Sequence, residues 1–148
     1  MKIFLGADHR GFHLKEKIEK YLLAQGYDVI DEGDEKLSPD DDFTVFASRV
    51  ASALKADSDH NSRGILICGS GQGMVIAANR HKGIRAGLGW SAKAAVETRN
   101  DEDTNVLALP AEVLEDNDAW QQVVDAWLDA PFSGAARYKR RIVQLDQL

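Results

Sequence analysis

Apolar residues fall into two alternating patterns along the chain. Short runs at residues 3–7, 28–30, 64–68, 84–88 and 106–109 are almost continuously apolar, as strands covered on both faces must be. Between them lie longer stretches whose apolar residues recur three and four positions apart, the spacing of one helical face. Residues 12–25 repeat Leu14, Ile18, Tyr21 and Leu22 and stop before Gly26, a residue suited to the left-handed turn that ends a helix. Residues 43–56, 73–80 and 91–99 read as further helices, and 120–128 repeats Val123, Val124, Trp127 and Leu128. Alternation of this kind predicts an α/β protein: a parallel sheet, right-handed crossovers and helices on both faces. No repeat, low-complexity segment or linker divides residues 1–148, so a single domain is expected. Residues 32–42, with Pro39 and an acidic run, are expected to form an irregular surface loop near the site.

In such a sheet, ligands bind beyond the carboxyl ends of the strands, at the point where the strand order reverses. The residues that follow each run are then the ones to examine: Asp8 and His9, Cys68 to Gly73, Gly89 to Ser91, and Pro110. The sharpest signal among them is Gly64-Ile-Leu-Ile-Cys-Gly-Ser-Gly-Gln-Gly-Met74. A strand delivers Cys68, and a loop with glycine at alternate positions then enters a helix. Glycines let successive backbone N–H groups turn toward one point, which suits a phosphate or a developing enediolate oxygen. The same donors favour negative charge on the sulfur, the form in which a thiol acts as a base. The spacing equally suits a buried cysteine closing a core strand beside a tight turn, cysteine being among the most buried residue types. The loop is neither a dinucleotide fingerprint, because Met74 stands where the last glycine belongs, nor a Walker A loop.

Composition narrows the partners. Hydrophobic residues make up 44% of 148 positions, an ordinary value for a globular chain, and no apolar run is long enough to span a bilayer. The start of the chain lacks the apolar core and cleavage site of a signal peptide, so a cytoplasmic setting is expected. The lone cysteine suits that reducing compartment. A formal net charge of −6 argues against nucleic acid as a partner. The charge is uneven, however, with acid at 40–42 and 101–103 and base at 137–141, and a small anionic substrate would need such a basic stretch. Asp40 and Asp41 read as solvated loop acids, and His13, His60 and His81 as solvated histidines. Arg137, Arg140 and Arg141 suit a basic face at a helix end. No His, Cys, Asp and Glu spacing resembles a metal site.

Several blocks in one order resemble the type B ribose-5-phosphate isomerase family, which also contains the galactose-6-phosphate isomerase subunits. They are Gly6-Ala-Asp-His-Arg-Gly-Phe-His-Leu-Lys15, Ile67-Cys-Gly-Ser-Gly-Gln-Gly-Met74, Ile76-Ala-Ala-Asn-Arg80 with Gly83-Ile-Arg85, Thr104-Asn-Val-Leu-Ala108, and Pro131 through Ile142. The resemblance covers nearly the whole chain and implies a Rossmann-like three-layer sandwich around a five-stranded parallel sheet. It implies an aldose–ketose isomerase of sugar phosphates that works through a cis-enediolate without metal or organic cofactor, as a homodimer or tetramer with active sites shared between chains. By the same likeness Cys68 is the proton-transfer base, with methionine at position 74 where relatives lacking the cysteine place a glutamate. Ser70 assists the transfer, and Gly69, Gly71 and Gly73 belong to the loop that holds the enediolate. Asp8 and His9 contact the sugar and its phosphate, and Arg137 and Arg141 bind the phosphate.

The chain departs from the family pattern at several positions. Asp101 and Glu102 stand where relatives carry His-Asn, whose histidine opens the furanose ring; Asp101 is then the candidate for that role, with Glu102 beside the substrate. Glu112 stands at the position of a phosphate-binding arginine, Phe43 at that of a tyrosine, and Tyr138 at that of a histidine. These changes keep three functions in view: isomerisation of ribose 5-phosphate, isomerisation of an open-chain tetrose or tetrulose 4-phosphate, and non-catalytic sugar-phosphate binding. A nucleotide-binding domain is disfavoured for want of a glycine fingerprint.

Overall fold

The computed structural model describes residues 1–148. The first half runs β1 (Lys2–Ala7), α1 (Phe12–Ala24), β2 (Asp28–Asp31), α2 (Phe43–Ala56), β3 (Arg63–Cys68) and α3 (Gln72–Ala78). The second half continues with β4 (Ala86–Leu88), α4 (Ala92–Glu102), β5 (Val106–Pro110), α5 (Ala111–Leu114), α6 (Ala119–Asp129) and α7 (Ala136–Leu145). The five strands form one parallel sheet in the order β2-β1-β3-β5-β4.

The two-residue period of the central strands decides which side chain meets which helical layer. Ile3, Leu5, Ala7, Ile65, Ile67, Leu107 and Leu109 face one side, where they pack against Leu14, Ile18 and Leu22 of α1 and Val123, Val124 and Trp127 of α6. Phe4, Leu66, Cys68, Val106 and Ala108 face the other, against Phe46, Ala47, Val50 and Ala51 of α2 and Met74 and Ala78 of α3. Both layers are dry, which is why the central strands read as continuous apolar runs. The order reverses between β1 and β3: the chain leaves β1 across one face through α1 and returns to β3 across the other through α2. The crevice between the carboxyl ends of these two strands is therefore the place for a ligand. No helix is long and apolar enough to cross a membrane.

Four features differ from the sequence pattern. The run at 84–88 pairs as a strand only from Ala86, because side-chain amides take the neighbouring backbone donors. Asn105 Oδ1 accepts from the Arg85 N–H (2.8 Å) and Asn79 Oδ1 from the Ala86 N–H (2.8 Å). That clamp by Asn79 also ends α3 short of residue 80. Helix α4 runs on to Glu102, and the basic stretch at 137–141 lies within a ten-residue helix, α7, rather than at a helix end. No residue of α7 is buried in the single chain, so the core leaves little periodic trace in its sequence.

Candidate active site

Residues just past β1 and β3 meet at the crevice. The Asp8 N–H donates to the Ile67 carbonyl (3.2 Å), so the first residue beyond β1 is fixed against the end of β3. Asp8 is buried, and its Oδ1 accepts N–H bonds from Arg10 (2.9 Å) and Gly11 (3.1 Å), closing the turn into α1. Gly11 permits that turn, since a Cβ there would sit 2.5 Å from the Ile67 carbonyl oxygen. Burial pushes the Asp8 carboxyl above the usual carboxylate range, with the Gly11 and Arg10 N–H bonds pulling the other way.

His9 is held by the loop between β2 and α2. Its Nδ1 lies 2.7 Å from Asp41 Oδ1, and its backbone N–H donates to the same oxygen at 3.1 Å. With Nδ1 engaged by a carboxylate, Nε2 is the nitrogen left for a substrate. Asp41 is thus not the solvated loop acid its acidic neighbours suggest; its side chain is only 9% exposed. Asp40 is exposed, as expected. The other end of this loop is anchored by Lys15, a fully buried lysine on α1 that bonds Asp31 and the Asp34 carbonyl (3.1 Å). Among the histidines read as solvated, His13 and His60 are exposed, whereas His81 is half-buried with Nε2 3.2 Å from Ser48 Oγ.

The glycine loop lies beside this turn. Cys68 ends β3 with its side chain toward the α2–α3 layer, and its Sγ accepts the Gly71 N–H at 3.1 Å. Gly71 has φ +75°, a left-handed conformation that glycine adopts without strain. Gly69 and Gly73 are bare for different neighbours. A Cβ on Gly69 would come within 2.5 Å of the Arg10 guanidinium carbon, and one on Gly73 within 2.8 Å of the Phe43 ring. The Arg10 side chain and the Phe43 ring therefore lie against the loop at its two ends. Arg10 pairs there with Glu112, whose backbone N–H bonds the Gly69 carbonyl (3.1 Å). Ser70 is exposed on the loop, and the N–H groups of Gly73 and Met74, in the first turn of α3, have no intrahelical partners. The Met74 side chain is fully buried. No cluster of three or more His, Cys, Asp or Glu side chains is placed to hold a metal ion.

Within one chain, the remaining candidate residues lie elsewhere. Helix α4 starts just past the carboxyl end of β4 and runs back along the sheet, which carries Asp101 about 15 Å along the axis from Ser91, its N-cap. Glu102 is next to Arg85 before β4, where its carbonyl accepts the Arg85 Nε–H at 3.1 Å. Asp101 and Glu102 share a shallow groove of about 290 Å³ with Trp90 and Thr98. Arg137 and Arg141 flank the Tyr138 ring, their guanidinium carbons 4.8 and 5.9 Å from its centre. The segment before them is tied to the end of α4, with Ser133 N–H donating to the Asn100 carbonyl at 3.0 Å. The largest hollow, about 920 Å³, also lies at this amino-terminal end, among Arg80, His81, Lys82 and Arg85, and contains no rim residue. Its size does not make it the reactive site, because thiol, Asp8 and His9 are all at the opposite end.

A thiol at the end of β3, a buried carboxyl just past the adjacent parallel strand β1, and a glycine loop with free N–H donors form an arrangement suited to a small anion. A family model described as Ribose/Galactose Isomerase matches residues 3–145, and the chain belongs to this family. Ribose-5-phosphate isomerase B of Escherichia coli (strain K12) is 41% identical over 141 residues, spanning 95% of this chain and 91% of the relative. The Clostridium thermocellum ribose-5-phosphate isomerase B structure is similar with a TM-score of 0.92 and 39% identity, covering 99% of this chain and 96% of that one. The Mycoplasma genitalium enzyme with bound ribulose-5-phosphate gives a TM-score of 0.92 at 37% identity, covering 99% and 94%.

Proposed function

We propose that the chain interconverts ribose 5-phosphate and ribulose 5-phosphate through a cis-enediolate, with Cys68 as the base that moves a proton between C1 and C2. The observation that carries this reading is the Cys68 sulfur at the mouth of the glycine loop, taking an N–H bond from Gly71 at 3.1 Å, beside Asp8 and His9. The N–H groups of the 69–74 segment supply the stabilisation that an enediolate oxygen needs as charge develops on it. In this reading Ser70, exposed on the same loop, relays a proton, and Asp8 and His9 hold sugar hydroxyl and phosphate groups. The relatives with this fold carry the name of that isomerase, and one binds ribulose-5-phosphate.

The working unit in this reading is a homodimer whose sites take residues from both chains. The wholly unburied α7, which carries Arg137 and Arg141, supports it. A sugar-phosphate substrate and a reduced thiol fit a cytoplasmic setting. The test is Cys68→Ala. It should lower kcat by roughly 10²–10⁴-fold, the usual worth of a positioned acid–base group, while substrate still binds. Wild-type enzyme should release part of the C2 deuterium into solvent, by exchange on the Cys68 thiol before it reprotonates C1; complete transfer of the label to C1 would overturn the enediolate route.

A second reading is favoured by the acidic residues at 101 and 102. A tetrose 4-phosphate cannot close a furanose, because the oxygen that would close it carries the phosphate, so its isomerase needs no ring-opening histidine. Turnover measured across tetrose, pentose and hexose phosphates separates the readings. Higher kcat/KM for erythrose or erythrulose 4-phosphate than for ribose 5-phosphate would select the second.

A further inference from the structure

The residues that follow the carboxyl ends of β1, β3, β4 and β5 are 8–11, 69–71, 89–91 and 111–112. Arg10 is the one arginine or lysine among them. Its neighbours at the rim are acidic: Asp8 accepts its backbone N–H, Asp41 binds His9, and Glu112 pairs with its guanidinium. From this chain's strand ends, an incoming phosphate dianion would meet three carboxyl groups and a single permanent cation. That cation is already placed for the task, lying against Gly69, where only the absence of a Cβ leaves it room. Its counter-ion is weakly held. The Arg10 and Glu112 side chains are 52% and 55% exposed, so water competes for both partners of the pair. Glu112 is nevertheless kept close, because its backbone N–H is bonded to the Gly69 carbonyl.

We propose that Arg10 is a phosphate-binding residue of this site, and that Glu112 is its exchangeable counter-ion, which the substrate's phosphate displaces. The proposal builds on the sugar-phosphate reading and names the residue that receives the phosphate on this chain. A planar guanidinium offers two parallel N–H donors to either a carboxylate or a phosphate, so one anion can replace the other without moving the arginine far. The exposed ion pair costs little to break, whereas two like charges left side by side would oppose binding. Glu112 must therefore swing away from Arg10 as the phosphate arrives. In the free enzyme it neutralises the arginine and sets how much of its charge is available to an anion.

The two residues then have effects of opposite sign. Inorganic phosphate binding to the full-length protein, followed by titration calorimetry, is the direct probe. Arg10→Gln should weaken it by roughly tenfold, the worth of one charge-assisted contact. Glu112→Gln should tighten it by about threefold, the strength of an exposed ion pair. In the Arg10→Gln background, Glu112→Gln should tighten binding less than it does in wild type, because Glu112 acts mainly through Arg10. Unchanged or weaker phosphate binding in Glu112→Gln overturns the proposal, as does unchanged binding in Arg10→Gln. KM for ribose 5-phosphate measured on the same variants keeps the two ideas apart. If wild type turns over no sugar phosphate but phosphate binding follows the expected pattern, the isomerase reading fails and the Arg10–Glu112 exchange stands. If wild type isomerises and neither variant shifts KM or phosphate affinity, the exchange fails and the isomerase reading stands.

Discussion

Asp8 carries a tension between fold and function. Its carboxyl is buried and held above the usual carboxylate range, so the folded protein resists ionising it. A raised folded pKa means that stability is full below the unfolded value of about 3.9 and is lost as pH rises through the folded one. Asp8→Asn removes that loss, since its Oδ1 can accept the same N–H bonds from Arg10 and Gly11. The variant should melt at the same temperature as wild type below about pH 4 and at a higher one at pH 7, measured by calorimetry across that range. It should also lose affinity for the substrate; a variant less stable than wild type at pH 7 would contradict the account. At this scale the sequence made part of the site legible. Cys68, Asp8 and His9 stood out as candidates because each lies at or just past the end of an apolar run, and position at a strand end is a local property. The partners that tune them could not. Asp41 lies 32 residues from His9 and sits in a run of three aspartates, where nothing local distinguishes the one that meets an imidazole. Lys15 reads as one more polar residue of an amphipathic helix, yet it is fully buried against Asp31.

Elements show which patterns are reliable and why. The three central runs, β1, β3 and β5, are strands on which both helical layers press, and burial on two faces leaves an unambiguous record; the edge strands β2 and β4 are only partly covered. Helix α5 is a single turn and α7 buries nothing within the chain, so neither writes a core-facing period into the sequence. The junction of β1 and α1 tests how far local geometry governs the site. Gly11 lies against the Ile67 carbonyl at a distance that admits no side chain, and this contact packs the start of α1 onto the end of β3. Gly11→Ala must push the turn off the strand that carries Cys68. It should cost about 1–3 kcal/mol, as overpacking usually does, and be seen as a lower urea midpoint with an unchanged m-value. The same shift should lower kcat more than Gly26→Ala does; the space around Gly26 is open, although its φ of +86° makes that control mildly strained as well.

For the whole molecule, the sheet sorts its chemistry to two ends. The thiol, Asp8 and His9 gather at the carboxyl end, while Asp101, Glu102 and the arginines of α7 lie toward the amino-terminal end, held by Asn100 and Arg85. The end of α4 is pinned by Arg99 to Asp103 and the Thr104 carbonyl, which holds Asp101 and Glu102 at that end of their own chain. In the homodimer proposed above, a twofold axis would let each chain supply to the other's site the residues that its own site lacks. Subunit mixing decides between these arrangements. Cys68→Ala and the double variant Arg137→Ala/Arg141→Ala should each be nearly inactive alone. If the sites are shared, a mixed dimer holds one site with both defects and one with none. Random re-pairing of equal amounts makes half the dimers mixed, so refolding the two together should recover about a quarter of wild-type activity. If every site is built from one chain, each mixed dimer contains two damaged sites and no activity returns. Recovery near a quarter, from proteins inactive on their own, would require Arg137 and Arg141 to act across the interface on the Cys68 of the partner.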